Sequence, residues 1–590
     1  MKTFFLSMAG ALAAMFIFIL LMFGFLMMLI MGAASSAPER PDNVVLSLDL
    51  NAEMTDQAPT GGFAALSSSP GFIDLLTKLK AAESDEHVKG LFIRGAFIGT
   101  GSSRAEELRQ ALHSFRDSGK FVIAHSQGTL GVRGPSAYWS IAAADEIWMQ
   151  PGSDLVVPGL TFETEFFKGL FEKIDVTPEI YPFYEYKNAP NSYKETSYTE
   201  PHKEALLTLA ESVWSTGIDA IAEDRGLKAA DVRTALESGP LPAETAISMK
   251  LLDKTGYPEE ASAAALERAG EDAELVDLAY YDAPAPGLRA PQIAVVGGEG
   301  AVVTGGGESD SPFSSPPGFA SDTIARAILD AGKNDKIKAI IFRVDSPGGS
   351  PVAADQIWNA IERVQADGKP VVVSMGSLAA SGGYYVSAGA DYIIANRATI
   401  TGSIGIYGGK FAVEGGFNKL GITFDRVSVG GEFADAYGAD TFTDTQAEAV
   451  KDMLKRGYDR FLGIVAEGRG MTYDEVHEIA RGRIWSGEDA LEVGLVDEVG
   501  TFIDAIEKAK ELAGIEADET PRLVYYPHRP TGLEALEALF GVSAEGAEAA
   551  ITLNRLASDD RVQVLMEQLA TMEAVNSGQT QAIVPRFRER

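Results

Sequence analysis

The chain contains no cysteine among its 590 residues. That excludes disulfides, thiolate nucleophiles and cysteine-held zinc together. Histidine is scarce. The six (His87, His113, His125, His202, His477 and His528) are scattered, with no HExxH and no other ligand spacing. They read as surface or core residues, and no metal or cofactor is expected. Positive charge is also short: 50 Lys and Arg stand against 84 Asp and Glu, for a formal net charge of −34. A phosphate backbone would meet no basic surface, so nucleic acid is excluded as a partner, and the charge reads as solubility. Long apolar runs are missing except at the start, where Phe4 to Ala34 carry no charge. That run exceeds the ~7–15 residues of a secretory signal core and suffices for the ~20 that span a bilayer. An uncleaved transmembrane helix over residues 1–34 is therefore expected. The small residues of "GAASSAPER" leave cleavage as the alternative. Lys2 favours an N-terminus inside, which puts the body across the membrane.

What is present is a duplication. "HVKGLFIRG" (87–95) reads against "KIKAIIFRV" (336–344), with Arg94 opposite Arg343 at an offset of 249 residues. "AYWSIAAADEIWMQPGSDLVVPG" (137–159) reads against "GYYVSAGADYIIANRATITGSIG" (383–405), with Asp145 opposite Asp391 at an offset of 246. Two related domains follow, 35–290 and 291–532, and then a helical extension and frayed tail over 533–590. In each copy, short β-branched runs such as "VKGLFI" and "IKAIIF" alternate with amphipathic stretches such as "AADQIWNAIERVQADG" (353–368). Continuous apolar strands alternating with helices indicate an α/β fold with a parallel sheet covered on both faces. Long helices are expected over 198–226 and 443–470.

A duplicated chain can be compared with itself. Ser381, in the small-residue segment "SLAASGGYY", falls opposite Pro135. Ser136 could replace it only if the register slipped by one. The turn "VDSPGGSP" (344–351) falls opposite "GAFIGTGS" (95–102), which lacks Ser-Pro-Gly-Gly. In the other direction, Lys187 of "PFYEYKNAPNSYKE" falls opposite Phe433. One copy holds a serine and the other a lysine, as though an ancestral Ser/Lys pair had been divided between them.

A Ser/Lys pair is a known form of nucleophilic acyl chemistry. The serine hydroxyl needs a base. A lysine can serve only if its pKa falls from about 10.4 towards neutrality, a shift of roughly 4–5 kcal/mol that desolvation can supply. Tyr184 and Tyr186 are expected to line the lysine's site. The acyl oxygen needs preorganised N–H donors, and the glycine segments offer Gly382 and either Gly348 or Gly349.

"DSPGGSP", "AASGGYY", "TGSIGIYGG" and "YKNAP" together resemble the long, tandem-repeat form of the signal peptide peptidase A family, the S49 serine proteases. The resemblance implies two tandem ClpP/crotonase-like domains behind an N-terminal membrane helix. It implies Ser381 as nucleophile, Lys187 as general base, Ser403 of "TGSIG" orienting the lysine, and Gly348 and Gly382 as oxyanion donors. Ser403 has Val157 opposite it in the first copy, and Asn188 stands where the family usually has serine. The resemblance further implies a homotetramer on the periplasmic side of a bacterial inner membrane, cutting remnant signal peptides. A crotonase-type acyl-CoA enzyme and a non-catalytic membrane-anchored scaffold are the readings from other classes.

Overall fold

A computed structural model describes residues 41–528 except 53, 59–69, 98, 129–133 and 307–317, together with the backbone of 582–583. The expected membrane helix over 1–34 and nearly all of the 533–590 extension lie outside the described residues. Among the described residues, no helix is long and apolar enough to cross a membrane.

Each copy builds one sheet whose central strands are parallel, the second adding Ile484–Ser486 antiparallel to Ile400–Gly402. In the first, the strand order is Lys254–Thr255, Glu146–Met149, Phe121–Ser126, Val88–Arg94, Val44–Asp49, Glu274–Asp277, all parallel. In the second, Val371–Ala380, Ile337–Ser346, Gln292–Glu299 and Arg522–Tyr526 lie side by side and parallel. Tyr392–Ala395 joins the lower half of Val371–Ala380, and Ile400–Gly402 joins its upper half. The central strands are buried along nearly their whole length, which accounts for runs without apolar–polar alternation.

The duplication extends to individual hydrogen bonds. Asp145 accepts the Val122 N–H and Asp391 accepts the Val371 N–H, each at 2.8 Å. Asp253 and Asp497 likewise accept the N–H groups of Ile147 and Ile393. The hydroxyls of Tyr138 and Tyr384 donate to the carbonyls of Leu251 and Leu495. The two long helices run Glu200–Arg225 and Asp444–Arg469. Thr199 and Thr443 cap their first turns with side-chain oxygens, and Gly226 and Gly470 end them in the left-handed conformation. The helix expected from 353 begins at Pro351, because Ser350 accepts the Ala353 N–H and proline suits the first turn.

Among the contacts that join the copies are a strand pair and a buried ion cluster. Thr177–Phe183 of the first pairs antiparallel with Ile406–Ala412 of the second, Phe183 opposite Ile406. Arg343, buried in the second sheet, donates to Asp56 at 2.8 and 3.0 Å and to Glu107 at 2.9 Å, both in the first copy. Burial would raise the Asp56 pKa, but the Arg343 charge holds it below the usual carboxylate range, whereas for Glu107 burial prevails and the shift is upward. Arg94, opposite Arg343 in the sequence, donates to Gln127.

Candidate active site

Ser381 follows the last residue of the strand Val371–Ala380 and precedes the short helix Gly382–Ser387. Its backbone has φ 56°, a sparsely populated region for a residue with a Cβ. Two hydrogen bonds hold it there: its N–H donates to the Gly402 carbonyl and its own carbonyl accepts the Tyr385 N–H, each at 2.8 Å. Such a turn presents one side chain at a fixed point, and strain of this kind gathers at functional sites.

Lys187 comes from the first copy. The strand Thr177–Phe183 delivers the turn Tyr184–Lys187 onto the segment Arg481–Arg483, where the Arg481 carbonyl accepts the N–H groups of Tyr184 and Tyr186. Gly482 lies against the Lys187 backbone so closely that a Cβ there would overlap the Lys187 nitrogen and Cα. Only glycine permits that approach.

The Lys187 Nζ lies 2.8 Å from Ser381 Oγ, 3.0 Å from Ser403 Oγ and 3.0 Å from the Ser403 carbonyl oxygen, to which it donates. Lys187, Ser381 and Ser403 are all buried. Desolvation alone pushes the Lys187 pKa well below the ordinary lysine value. A carboxylate would keep the amine charged; here hydroxyls and a carbonyl surround it, and they accommodate a neutral amine. Ser403 is itself at φ 50°, with its N–H donating to the Arg483 carbonyl at 2.6 Å.

The glycine segments meet beside the serine. A Cβ on Gly382 would fall 2.9 Å from the Gly349 nitrogen and 3.2 Å from the Gly348 Cα. The Gly348 N–H donates to Ser346 Oγ at 3.1 Å, and Val302 runs alongside Gly349. On its other side, Gly348–Gly349 pairs antiparallel with the backbone of Ala582–Ile583.

Five residues expected from the sequence (Lys187, Ser381, Ser403, Gly348 and Gly382) therefore converge. In the first copy, the shared Tyr138 and Tyr384 bonds fix the register without slippage, so Pro135 and not Ser136 occupies the position of Ser381. Tyr184 packs against Tyr458 and His477, and Tyr186 lies under the Arg483 guanidinium. Asn188 is buried, its side-chain oxygen accepting from Asn191, so it holds the turn after the lysine.

The family model for peptidase family S49 matches residues 114–272 and 363–516, more than half of the chain. The chain belongs to peptidase family S49. A Clp protease model also matches residues 318–403. "Serine protease SPPA, chloroplastic" of Arabidopsis thaliana is 29% identical over 537 residues, covering 89% of this chain and 77% of that protein. "Protease 4" of Haemophilus influenzae is 32% identical over 469 residues, covering 75% of this chain and 73% of that protein. "Protease 4" of Salmonella typhi is 31% identical over 477 residues, covering 78% and 74%. The body of this S49 serine protease is thus two tandem S49/ClpP-like α/β domains.

Sequence reading missed the segment Arg481–Arg483 that seats the lysine. A glycine between two arginines in "RGRIW" is the only local signal. It also missed Ser346, which holds the Gly348 amide and lies inside the quoted "DSPGG".

Proposed function

We propose that this S49 protease is a membrane-anchored endopeptidase that cleaves apolar peptides, remnant signal peptides among them, through an acyl-enzyme on Ser381 with Lys187 as general base. The observation that carries it is a buried lysine amine, with no carboxylate partner among the described residues, 2.8 Å from a buried serine hydroxyl.

As Ser381 Oγ attacks the peptide carbonyl carbon, its proton passes to the Lys187 Nζ. The amides of Gly382 and Gly348 stabilise the developing oxyanion, with Gly348 turning from Ser346 Oγ to the substrate. A lost donor of this kind typically reduces the rate by about 10²–10³. When the C–N bond breaks, Lys187 returns the proton to the leaving amine and leaves an ester on Ser381. A water that gives its proton to Lys187 then attacks that ester; as the C–O bond breaks Lys187 passes the proton to Ser381 Oγ, and the acid product departs. Ser403, through its hydroxyl and carbonyl, aims the amine throughout.

The pairing of Ala582–Ile583 with Gly348–Gly349 supports binding of substrate as an added strand, held by main-chain bonds beside the nucleophile. The membrane helix expected over 1–34 would tether the body where apolar peptides remain after secretion. The family resemblance supports a periplasmic face and a homotetramer. Turnover of an apolar peptide ester tests the proposal: wild type should cleave it, and Ser381→Ala and Lys187→Ala should each lose activity. Equal rates in all three would refute it.

A further inference from the structure

The segment Arg481–Arg483 meets the lysine site on two sides. The Arg481 carbonyl accepts the Tyr184 and Tyr186 N–H groups, and Gly482 lies against the Lys187 backbone. The Arg483 carbonyl accepts the Ser403 N–H at 2.6 Å. The segment therefore sets where the lysine stands relative to the serine that aims it. Its backbone is strained: Arg481 has φ 53°, sparsely populated for a residue with a Cβ, and Gly482 has φ 89°. Such a conformation persists only where its surroundings hold it.

Both arginine side chains reach across to the first copy. Arg483 donates twice to Glu204, Nη1 to Oε2 at 2.7 Å and Nη2 to Oε1 at 2.8 Å. Its guanidinium carbon lies 5.0 Å from the Tyr186 ring centroid and 4.6 Å from that of Trp485. The Arg483 side chain is 14% exposed, and a stacked, bidentate arginine is fixed more firmly than a solvated one. Arg481 adds a 3.1 Å bond to Glu185. Glu204 lies early in the helix Glu200–Arg225, while Glu185 and Tyr186 immediately precede Lys187.

The first copy is built differently at this point. Thr199, Gly226 and Asp253 correspond to Thr443, Gly470 and Asp497 at an offset of 244, which sets Glu237, Ser238 and Gly239 opposite Arg481, Gly482 and Arg483. Glu237 ends a helix and Ser238 has an ordinary φ of −72°. Glu448, opposite Glu204, pairs with Lys451 of its own helix. The strained arginine and the pair of cross-copy bonds belong to the copy that carries Ser381.

We propose that Arg483 and Glu204 are positioning residues: their ion pair, spanning the two copies, holds Ser403 and the Lys187 turn against Ser381. This rests on the catalytic reading above. The pair acts through the backbone of Arg481–Arg483 and through Tyr186.

Turnover of an apolar peptide ester by full-length protein tests it. Glu204→Gln removes one charge from a half-exposed side chain and should lower kcat by roughly tenfold with KM unchanged, since a displacement of about 1 Å costs on the order of 100-fold. Arg483→Gln should act likewise, and the double variant should be no slower than the slower single, because the two form one unit. Glu211, farther along the same helix, pairs with Arg233 of its own copy, so Glu211→Gln should keep the wild-type kcat. A wild-type kcat in Glu204→Gln beside an inactive Ser381→Ala would overturn the positioning role alone. So would a raised KM at unchanged kcat, additive losses in the double variant, or an equal loss in Glu211→Gln. Full turnover by Ser381→Ala would instead overturn the catalytic reading, and the positioning role with it.

Discussion

Replacing Lys187 by methionine keeps the apolar stem and removes the amine. In the folded protein burial depresses the amine's pKa well below the ordinary value, while in the unfolded chain it is protonated up to about pH 10.4. Between those two pKa values the unfolded state binds one proton more, so wild-type stability rises with pH there, by at most about 1.4 kcal/mol per pH unit. Lys187→Met lacks this contribution. Its stability relative to wild type should therefore fall as pH rises through the window, at up to that same slope. The variant also leaves the Ser403 carbonyl without its lysine donor, worth about 1–3 kcal/mol for a buried group. That loss is independent of pH, so it displaces the difference without tilting it. Denaturant midpoints of both proteins at pH 7, 8, 9 and 10 measure the slope. A difference that stays flat across this range would mean that the amine is charged in the folded protein, and the desolvation argument would fail. Peptide-ester turnover by the variant should drop by at least about 10³-fold, since the nucleophile loses its base.

Other outcomes follow from the geometry. Gly482→Ala should force the Lys187 turn away from the serine, because a Cβ overlaps the lysine backbone and the glycine has φ 89°. A displacement of about 1 Å predicts roughly a 100-fold loss in kcat with the fold retained by circular dichroism; unchanged kcat would contradict the seating described. Arg343→Met leaves Asp56 and Glu107 buried without their cation and should destabilise the protein by about 3–5 kcal/mol in chemical denaturation. An unchanged midpoint would show that the joint between the copies does not depend on it. Deleting residues 579–590 removes the strand paired with Gly348–Gly349 and should lower KM for peptide esters without changing kcat. A raised KM would mean that the segment helps to hold substrate.

The sequence discloses Ser381 and Lys187 because duplication supplies an internal control: proline and phenylalanine stand in their places in the other copy. The sheets are equally legible, since fully buried parallel strands need unbroken apolar runs and both copies carry them in the same order. What surrounds the lysine is not. Gly482 acts through an approach from a segment far downstream, and its two arginine neighbours in "RGRIW" do not disclose that approach. Tyr184 and Tyr186 precede the lysine in sequence, but their rings have partners in Tyr458, His477 and Arg483 that only the fold brings near. Arg94 and Arg343 align letter for letter and do different work. Asp56 and Glu107, which separate their roles, come from other parts of the chain.

The most direct test of the central claim is labelling of Ser381 by a fluorophosphonate, located by peptide mass spectrometry, in wild type and Lys187→Met across pH 6 to 10. A neutral lysine acting as base predicts a single adduct on Ser381, forming faster as pH rises through the depressed lysine pKa and absent from the variant. Labelling of Lys187→Met at the wild-type rate, or an adduct on another serine, would contradict it.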